Sequence, residues 1–445
     1  MRSALPKVLH ELAGLPLLAH VLEASRQLKP ERLVVVIGHG ADQVRDSLDA
    51  ADITWVLQDE QLGTGHAVSC AMPALAGLEG ELIVLNGDHP LIEPATLNKL
   101  HNEHIESGQA VTLLSTTIDP PTGYGRVVRD SSGTLLGIVE QKDADPKTLA
   151  ITEVNSGTYC FKLTAMPAWL KRLSNNNAQG EYYLPDVVAL AKADGLPVGA
   201  CHHDDHHSLS GINSRRQLAQ LEAAFRNRLV DGLMDRGVTF IDPGSCWLAA
   251  DVQIGRDTII SPNVHLGPGV VIGEGCRVGP FCQIQKSHMG DGCEILAFCH
   301  LDGAQLAGPN VIGPYARLRP GTVLAAGAKV GNFCEVKKSN IGPGSKINHL
   351  TYVGDTEMGG GVNVGAGTIT CNYDGVNKHR TVIGEGVFIG SDTQLVAPVT
   401  VGEGAVIGAG TTVTREVAAG SLATSRAPQK EIAGWREKRP KPKKK

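Results

Sequence analysis

The sequence predicts two architectures in one chain, an open α/β sheet with parallel strands followed by a stacked parallel β-helix. In the first half, continuous apolar runs that end in glycine or a polar turn alternate with helical stretches. Beyond Pro243, aliphatic residues recur every six positions, and most of the 53 glycines lie there. A chain of 445 residues is also too long for one ordinary core, and its length predicts about two or three domains.

Two apolar runs in the first half are typical of buried parallel strands. One runs from Arg32 to Gly40, and the other, Leu82–Leu85, is followed directly by Asn86-Gly87-Asp88. Helical stretches lie at 17–28, 41–50 and 93–104. The order strand, helix, strand predicts a doubly wound sheet, in which ligands bind beyond the carboxyl ends of the strands. Asp88 lies at such an end.

A helix is predicted to connect the two halves. Residues 214–236 carry apolar side chains at helical spacing, and Asp242-Pro243-Gly244 ends the pattern. We therefore expect a first domain at 1–213, a linker helix at 214–240 and a β-helix domain with a basic tail at 241–445.

The six-residue rhythm predicts the β-helix. A step of six returns the chain to an inward-pointing position once per flat face, so stacked coils bury an aliphatic column. Three series follow this spacing: Ile254, Ile260, Leu266, Ile272, Val278 and Ile284; Ile312, Leu318, Leu324, Val330 and Val336; and Ile383, Ile389, Leu395, Val401, Ile407 and Val413.

Composition excludes several functional classes. A net charge of −5 and a near-neutral pI argue against nucleic-acid binding, and the basic residues from Lys438 to Lys445 are interpreted as a solvated end. The ten cysteines form no CxxC pair, and Cys276/Cys282 and Cys293/Cys299 repeat the six-residue step as small buried residues. With no signal peptide and no apolar run of about 18 residues, we expect a cytoplasmic protein without membrane insertion.

Several short motifs in the first half carry a resemblance. The turn Gln61–His66 is weak evidence alone, but it occurs with Gln58, Asn86-Gly87-Asp88, Pro121–Arg126, Glu140 to Lys142 and Asn155-Ser156-Gly157. Together these motifs resemble the sugar-1-phosphate nucleotidylyltransferases, whose fold is Rossmann-like. In that chemistry a sugar phosphate attacks the α-phosphorus of UTP, and Mg²⁺ balances the negative charge.

The resemblance implies a role for each matching residue. Asp88 and Asn213 would hold Mg²⁺, and Lys7 would contact phosphate. Further uridylyl-substrate contacts would come from the nucleotide-side residues Gln58, Gly63, Thr64, Asn86 and Gly87 and from the sugar-side residues Gly125, Glu140 and Asn155. Taken singly, Asp88 could instead be a strand-end cap, Lys7 an exposed charge and Gly63 part of a simple turn.

One departure from this family concerns phosphate binding. Its first strand ends in a Leu-x-x-Gly-x-Gly-Thr-Arg-Met turn whose N–H groups cradle the triphosphate, and Met1 lines up with the last residue of that pattern. We therefore expect a domain with its first strand missing, and poor or no uridylyl transfer by the chain as written. A misplaced start, with the missing segment encoded upstream, is our preferred explanation.

The register of the β-helix breaks where polar residues cluster. Steps shorten to five at Val336–Ile341 and Val353–Met358, and an insertion at 371–380 interrupts the rhythm. Motifs around Arg319, Lys337, His349-Leu-Thr-Tyr352, Asn363–Gly375 and Ser391–Val399 resemble the bacterial bifunctional UDP-N-acetylglucosamine pyrophosphorylase and glucosamine-1-phosphate acetyltransferase family over nearly the whole chain. The resemblance implies a left-handed β-helix of hexapeptide repeats.

The resemblance also implies an acetyl-transfer site. Histidine suits the base that deprotonates the attacking amine, and this is the role implied for His349, with Glu335 orienting or polarising it. The sugar phosphate would be bound by Arg319, Lys337, Tyr352, Asn363 and Lys378. Acetyl-CoA would contact Ala366, Asn372, Tyr373, Ser391, Ala409 and Arg426. A site on a solenoid face gains walls only from a neighbour, and the resemblance to left-handed β-helix acyltransferases implies a threefold trimer with the coenzyme between adjacent subunits. We therefore expect a homotrimer that binds sugar phosphates and nucleotides.

Other interpretations stay open from sequence alone. The first half could be a non-catalytic, nucleotide-binding regulatory domain beside an active acetyltransferase. The β-helix could acylate a different amine or hydroxyl. His349 taken alone could be a solvated corner histidine, and Lys338 and His379 are interpreted as surface residues. The run His202–His207 could suggest zinc, but an exposed loop is the preferred interpretation, since metal ligands usually converge from separate elements.

Overall fold

The computed structural model describes residues 1–48 and 51–438. Contacts divide the chain into two compact units, Met1–Arg226 and Asn227–Lys445. The division falls inside a long helix, Arg215–Asp235, at the position predicted for the linker. Most of the predicted basic tail, residues 439–445, lies outside the described residues, as does the end of the helix predicted at 41–50.

Within the described residues, the first unit combines helices with three separate sheets. Its helices are α1 (Leu17–Arg26), α2 (Ala41–Asp46), α3 (Thr64–Ala71), α4 (Pro94–Glu106), α5 (Pro146–Leu149), α6 (Met166–Leu170), α7 (Asp186–Ala193) and α8 (Arg215–Asp235), with 3-10 turns at Lys7–Leu9, Met72–Leu75 and Leu163–Ala165. Its strands are β1 (Glu11–Leu12), β2 (Leu15–Pro16), β3 (Leu33–Ile37), β4 (Ile53–Leu57), β5 (Glu81–Val84), β6 (Val111–Thr117), β7 (Arg126–Arg129), β8 (Leu135–Val139), β9 (Glu153–Lys162) and β10 (Val198–His202).

Strand β9 organises the larger sheet. Its order is β10-β6-β9-β7-β8, and β5 also pairs with β9. The sheet is mixed, because β10 runs parallel to β6 whereas β5, β6 and β7 run antiparallel to β9. Strands β3 and β4 form a parallel pair of their own. Both predicted strands, β3 and β5, are confirmed, and they line one cavity of about 1260 Å³.

The second unit is a left-handed parallel β-helix with three faces. The first face has β11 (Thr239–Phe240), β14 (Ile259–Ile260), β17 (Arg277–Val278), β20 (Glu294–Ile295), β23 (Val311–Ile312), β26 (Lys329–Asn332), β29 (Lys346–His349), β32 (Asn363–Val364), β35 (Phe388–Ile389), β38 (Val406–Ile407) and β40 (Leu422–Ala423). The second face has β12 (Trp247–Leu248), β15 (His265–Leu266), β18 (Gln283–Gln285), β21 (His300–Asp302), β24 (Arg317–Leu318), β27 (Glu335–Lys337), β30 (Tyr352–Gly354), β33 (Ile369–Cys371), β36 (Gln394–Val396) and β39 (Thr412–Val413). The third face has β13 (Gln253–Ile254), β16 (Val271–Ile272), β19 (His288–Met289), β22 (Gln305–Leu306), β25 (Thr322–Leu324), β28 (Ser339–Ile341), β31 (Thr356–Met358), β34 (Thr381–Ile383) and β37 (Val399–Val401).

The aliphatic column predicted from the six-residue spacing forms the core of this unit. All members of the three series are buried, from Ile254 near the first coil to Val413 near the last. Burying each such side chain contributes about 1.5–3 kcal/mol, so the repeat itself supplies the stability of the prism. Cys276, Cys282, Cys293 and Cys299 are buried free thiols, as predicted. Within the described residues, no helix is long and apolar enough to cross a membrane.

Candidate active sites

Three residues far apart in the first unit's sequence converge on one point. The Lys7 Nζ atom lies 2.6 Å from Asp88 Oδ2 and 2.9 Å from Asn213 Oδ1. Asp88 follows β5, so the strand-end position predicted for it is confirmed. A carboxylate oxygen and an amide oxygen thus share one cation, the lysine ammonium. Two hard oxygen donors around a single positive charge fit Mg²⁺, which prefers oxygen ligands.

The predicted glycine turn holds the start of α3 against a neighbouring segment. Gly63 has a φ of 108°, and a Cβ there would lie 2.7 Å from the carbonyl oxygen of Tyr182. The Thr64 hydroxyl accepts a hydrogen bond from the Leu184 N–H at 3.1 Å, and Gln58 donates to the Gly63 carbonyl at 3.2 Å. The side chains of Gln58 and Thr64 therefore brace the turn.

The predicted sugar-side residues lie together beside the start of β9. Asn155 donates to the Tyr159 hydroxyl at 2.7 Å and accepts from the Gly157 N–H at 3.0 Å. A Cβ at Gly125 would lie 2.9 Å from a Glu140 carboxylate oxygen, so a larger residue there would displace that carboxylate. Burial, with Asp143 and Asp186 nearby, raises the pKa of Glu140.

One cavity brings most of the predicted residues together. The 1260 Å³ cavity is lined by Lys7, Thr64, Asn86, Gly87, Asp88, Gly125, Glu140, Asn155 and Asn213. Gln58 and Gly63 are not among the residues that line the cavity. They brace the turn before Thr64 through the hydrogen bond from the Gln58 side chain to the Gly63 carbonyl. Sequence reasoning missed a further wall, the segment from Gln179 to Pro185. Residues 176–183, Asn-Asn-Ala-Gln-Gly-Glu-Tyr-Tyr, show neither helical nor strand periodicity. This lack of periodicity was the only feature of the sequence that could have indicated a binding loop.

In the second unit, the predicted base is held by an asparagine that sequence reasoning missed. His349 Nδ1 lies 2.7 Å from Asn332 Oδ1, and the two residues are direct register partners on the first face. Because an amide oxygen only accepts, Nδ1 carries a proton in this contact. In a neutral imidazole this tautomer leaves the lone pair on Nε2, as the role of base predicted for His349 requires.

Glu335 makes different contacts from those implied by the resemblance. Its carboxylate lies 2.8 Å from Arg319 Nη1 and 3.6 Å from Arg317 Nη1. These contacts orient Arg319, whereas His349 Nδ1 is held by Asn332. Glu335 lies on the second face in register with Tyr352, beside the strand end that carries His349.

A cluster of cations lies where the second face meets the third. Lys337 ends β27, and Lys378 belongs to the insertion that precedes β34. The insertion is fixed by Asp374, whose carboxylate accepts from the Val376 and Asn377 N–H groups. The nearby Lys378 ammonium, burial and Arg319 lower the pKa of Lys337. Such crowding of positive charge is relieved by an anion, and phosphate is the natural choice.

Backbone register aligns His349 with three of the residues predicted to contact acetyl-CoA. The Gly367 N–H donates to His349 O at 3.3 Å, the Asp392 N–H to Ala366 O at 2.7 Å, and the Gly410 N–H to Ser391 O at 2.8 Å. His349, Ala366, Ser391 and Ala409 therefore form one row along the corner between the first and second faces, here called the corner row. Arg426 Nε donates to Ala409 O at 3.1 Å and ends this row with a positive charge. Coils about 4.8 Å apart give the row a length of about 19 Å from His349 to Arg426.

The remaining predicted residues lie around the second face. Asn372 Nδ2 donates to Asp355 Oδ2 at 2.5 Å and lies 3.4 Å from the Tyr352 hydroxyl. Tyr373 is 60% exposed and projects from the insertion. Asn363 lies on the first face, one coil beyond His349 and in register with Lys346.

Models of known protein families match both the first and the second half of the chain. The MobA-like NTP transferase domain model matches residues 1–145, the GMPPB C-terminal domain model matches 244–356, and the bacterial transferase hexapeptide model matches 380–415. A protein of Trichlorobacter lovleyi named bifunctional protein GlmU is 51% identical over 98% of this chain and 95% of its own length. The chain belongs to the GlmU family. GlmU proteins of Pseudomonas fluorescens, 52% identical, and Burkholderia vietnamiensis, 51% identical, match over the same shares of both chains.

Proposed function

We propose that this GlmU family member acetylates glucosamine-1-phosphate from acetyl-CoA and transfers UMP from UTP to the product, giving UDP-N-acetylglucosamine. The observation that best supports acetyl transfer is the corner row, in which the oriented imidazole of His349 lies at one end of an extended surface. We assign residues 1–213 to uridylyl transfer, 214–240 to the linker helix and 241–445 to acetyl transfer.

Acetyl transfer follows from the geometry of the second face. The cations Arg319, Lys337 and Lys378 bind the sugar phosphate at one edge, and Tyr352 lies between them and the imidazole. His349 Nε2 accepts a proton from the sugar amine as its nitrogen attacks the thioester carbonyl. The C–S bond then breaks, and the coenzyme leaves as a thiolate that takes up a proton. Arg426 binds a phosphate group at the far end of the corner row.

Uridylyl transfer is assigned to the cavity of the first unit. Asp88 and Asn213 would hold Mg²⁺, which supplies positive charge for the phosphate oxygens, and Lys7 is free to pair with phosphate once the metal replaces it. Asn155 and Glu140 bind the sugar, whereas Thr64 and Asn86 bind the nucleotide.

We further propose a cytoplasmic homotrimer. The ten free cysteines suit a reducing compartment, and the exposed corner row needs a neighbouring subunit to exclude water from the thioester. Analytical ultracentrifugation tests the assembly, with a species of three chains expected. A monomer that is fully active would contradict it.

The decisive assay follows free thiol release from acetyl-CoA in the presence of glucosamine-1-phosphate. His349→Ala should lower kcat by about 10²–10⁴-fold because it removes the general base. The matched control is His288→Ala, an exposed histidine on the third face, which should keep full activity. No thiol release by the parent protein would reject acetylation of this amine, and release with another amine would favour the broader acyltransferase interpretation.

A further inference from the structure

A cluster of three different side chains is separate from the residues predicted for either site, although Glu81 also lines the 1260 Å³ cavity of the first unit. Glu81 on β5, His104 on α4 and Cys160 on β9 each direct one ligand atom to a common point, and these atoms lie within 4.8 Å of one another. Strand pairing brings them together, since Cys160 is opposite Ile83 on one side and Thr112 on the other. Cys160 and His104 are buried, whereas the Glu81 side chain is 25% exposed.

Hydrogen bonds fix the orientation of the imidazole. The Thr112 hydroxyl donates to Gln109 Oε1 at 2.5 Å, so it accepts from His104 Nδ1 at 2.8 Å. Nδ1 therefore carries a ring proton, and Nε2 faces Glu81 Oε2, 2.9 Å away. A cation, either a proton or a metal ion, lies between this nitrogen and the carboxylate, because two lone pairs at that distance would repel. A hydrogen bond from the second ring nitrogen to an oxygen acceptor is also how metal-binding histidines are oriented.

We propose that Glu81, His104 and Cys160 form a Zn²⁺ site. The mixture of sulfur, imidazole nitrogen and carboxylate oxygen suits zinc and disfavours Mg²⁺ and Ca²⁺, which prefer oxygen alone. Three protein ligands leave a fourth position for water on the Glu81 side, the exposed edge of the cluster. On binding, zinc forms a bond to Cys160 sulfur, the S–H bond breaks, and the proton passes to solvent.

A zinc ion would join α4, β5 and β9. Because β5 leads to Asp88 and β9 begins with the segment that holds Asn155, the ion would stabilise the frame of the uridylyl site without touching substrate.

The test uses the full chain, stripped with a chelator and titrated with Co²⁺ and then Zn²⁺. One equivalent of Co²⁺ should give a thiolate-to-cobalt charge-transfer band, which Zn²⁺ removes. Cys160→Ser should lose this band, whereas Cys201→Ser, a buried cysteine on β10 outside the cluster, should keep it. The histidines of His202–His207 cannot produce the band, because that run contains no cysteine.

Two variants keep the proposal testable if Cys160→Ser does not fold. Thr112→Val keeps its shape but loses the outer-shell hydroxyl, and it should weaken zinc binding by about 10–100-fold. Glu81→Gln alters a partly exposed ligand and should weaken it by at least tenfold. An absent thiolate band in the parent protein, or unchanged zinc affinity in folded Glu81→Gln, would overturn the site and leave a Glu81–His104 pair that shares only a proton.

Discussion

The hydrogen bond between Asn332 and His349 makes a quantitative prediction about acetyl transfer. Asn332→Ala removes the acceptor 2.7 Å from Nδ1, so the imidazole is no longer held with Nε2 deprotonated and aimed at the substrate. A hydrogen bond between neutral groups contributes about 0.5–1.5 kcal/mol, and each 1.36 kcal/mol is tenfold in rate. We therefore expect kcat to fall by about 2- to 12-fold, far less than for His349→Ala.

Steady-state release of free thiol measures this effect. Asn332 acts through His349, so KM for both substrates should stay within about twofold while kcat falls. The control is Gln283→Ala, an exposed amide side chain three coils nearer the N-terminus on the second face. An unchanged kcat in folded Asn332→Ala, or a loss confined to KM, would show that the asparagine does not preset the base.

Three further changes have defined outcomes. Lys378→Met removes one cation of the pair with Lys337, and it should raise KM for glucosamine-1-phosphate by about tenfold or more with little change in kcat, measured in the same thiol assay. Gly63→Ala places its Cβ against a backbone oxygen at a φ of 108°, and it should lower the free energy of unfolding, measured in urea, by about 1–3 kcal/mol or more. The control, Gly77→Ala, has open space around its Cβ and should lose only the part that comes from backbone strain. Glu140→Gln should raise the free energy of unfolding near pH 8, because burial raises the pKa of this carboxyl and its ionisation opposes folding. The gain in stability should shrink as the pH falls through that raised pKa. An equal gain at pH 5 and pH 8 would contradict this reasoning.

Much of the fold could be predicted because its cause is local. The six-residue aliphatic spacing needs no knowledge of distant residues, and the buried column from Ile254 to Val413 follows it throughout. Strands β3 and β5 were equally evident as apolar runs. Their pairing could not be predicted, because β5 pairs with the antiparallel strand β9, about eighty residues later in the chain, and nothing in either segment specifies that partner.

The candidate sites depended on information that local patterns do not contain. Lys7, Asp88 and Asn213 are separated by more than 80 residues each, so only the fold brings their side chains together. The role of Asn332 was missed because a lone asparagine before Phe333 resembles any turn residue. Its importance comes from lying opposite His349 in the neighbouring coil.

The corner row shows most clearly why register decides function in a solenoid. With a perfect repeat of eighteen residues per coil, the residues aligned with His349 in the following coils could be found by adding eighteen to its number each time. Here the steps along the row are 17, 25 and 18 residues, because shortened turns and the insertion at 371–380 change the length of successive coils. The strands absorb these changes by keeping their hydrogen bonds, so His349, Ala366, Ser391 and Ala409 stay aligned. The irregular coils thus keep the corner row straight, while the insertion places Lys378 beside Lys337. The same break in the repeat therefore positions residues of both the proposed acetyl-CoA surface and the proposed sugar-phosphate site.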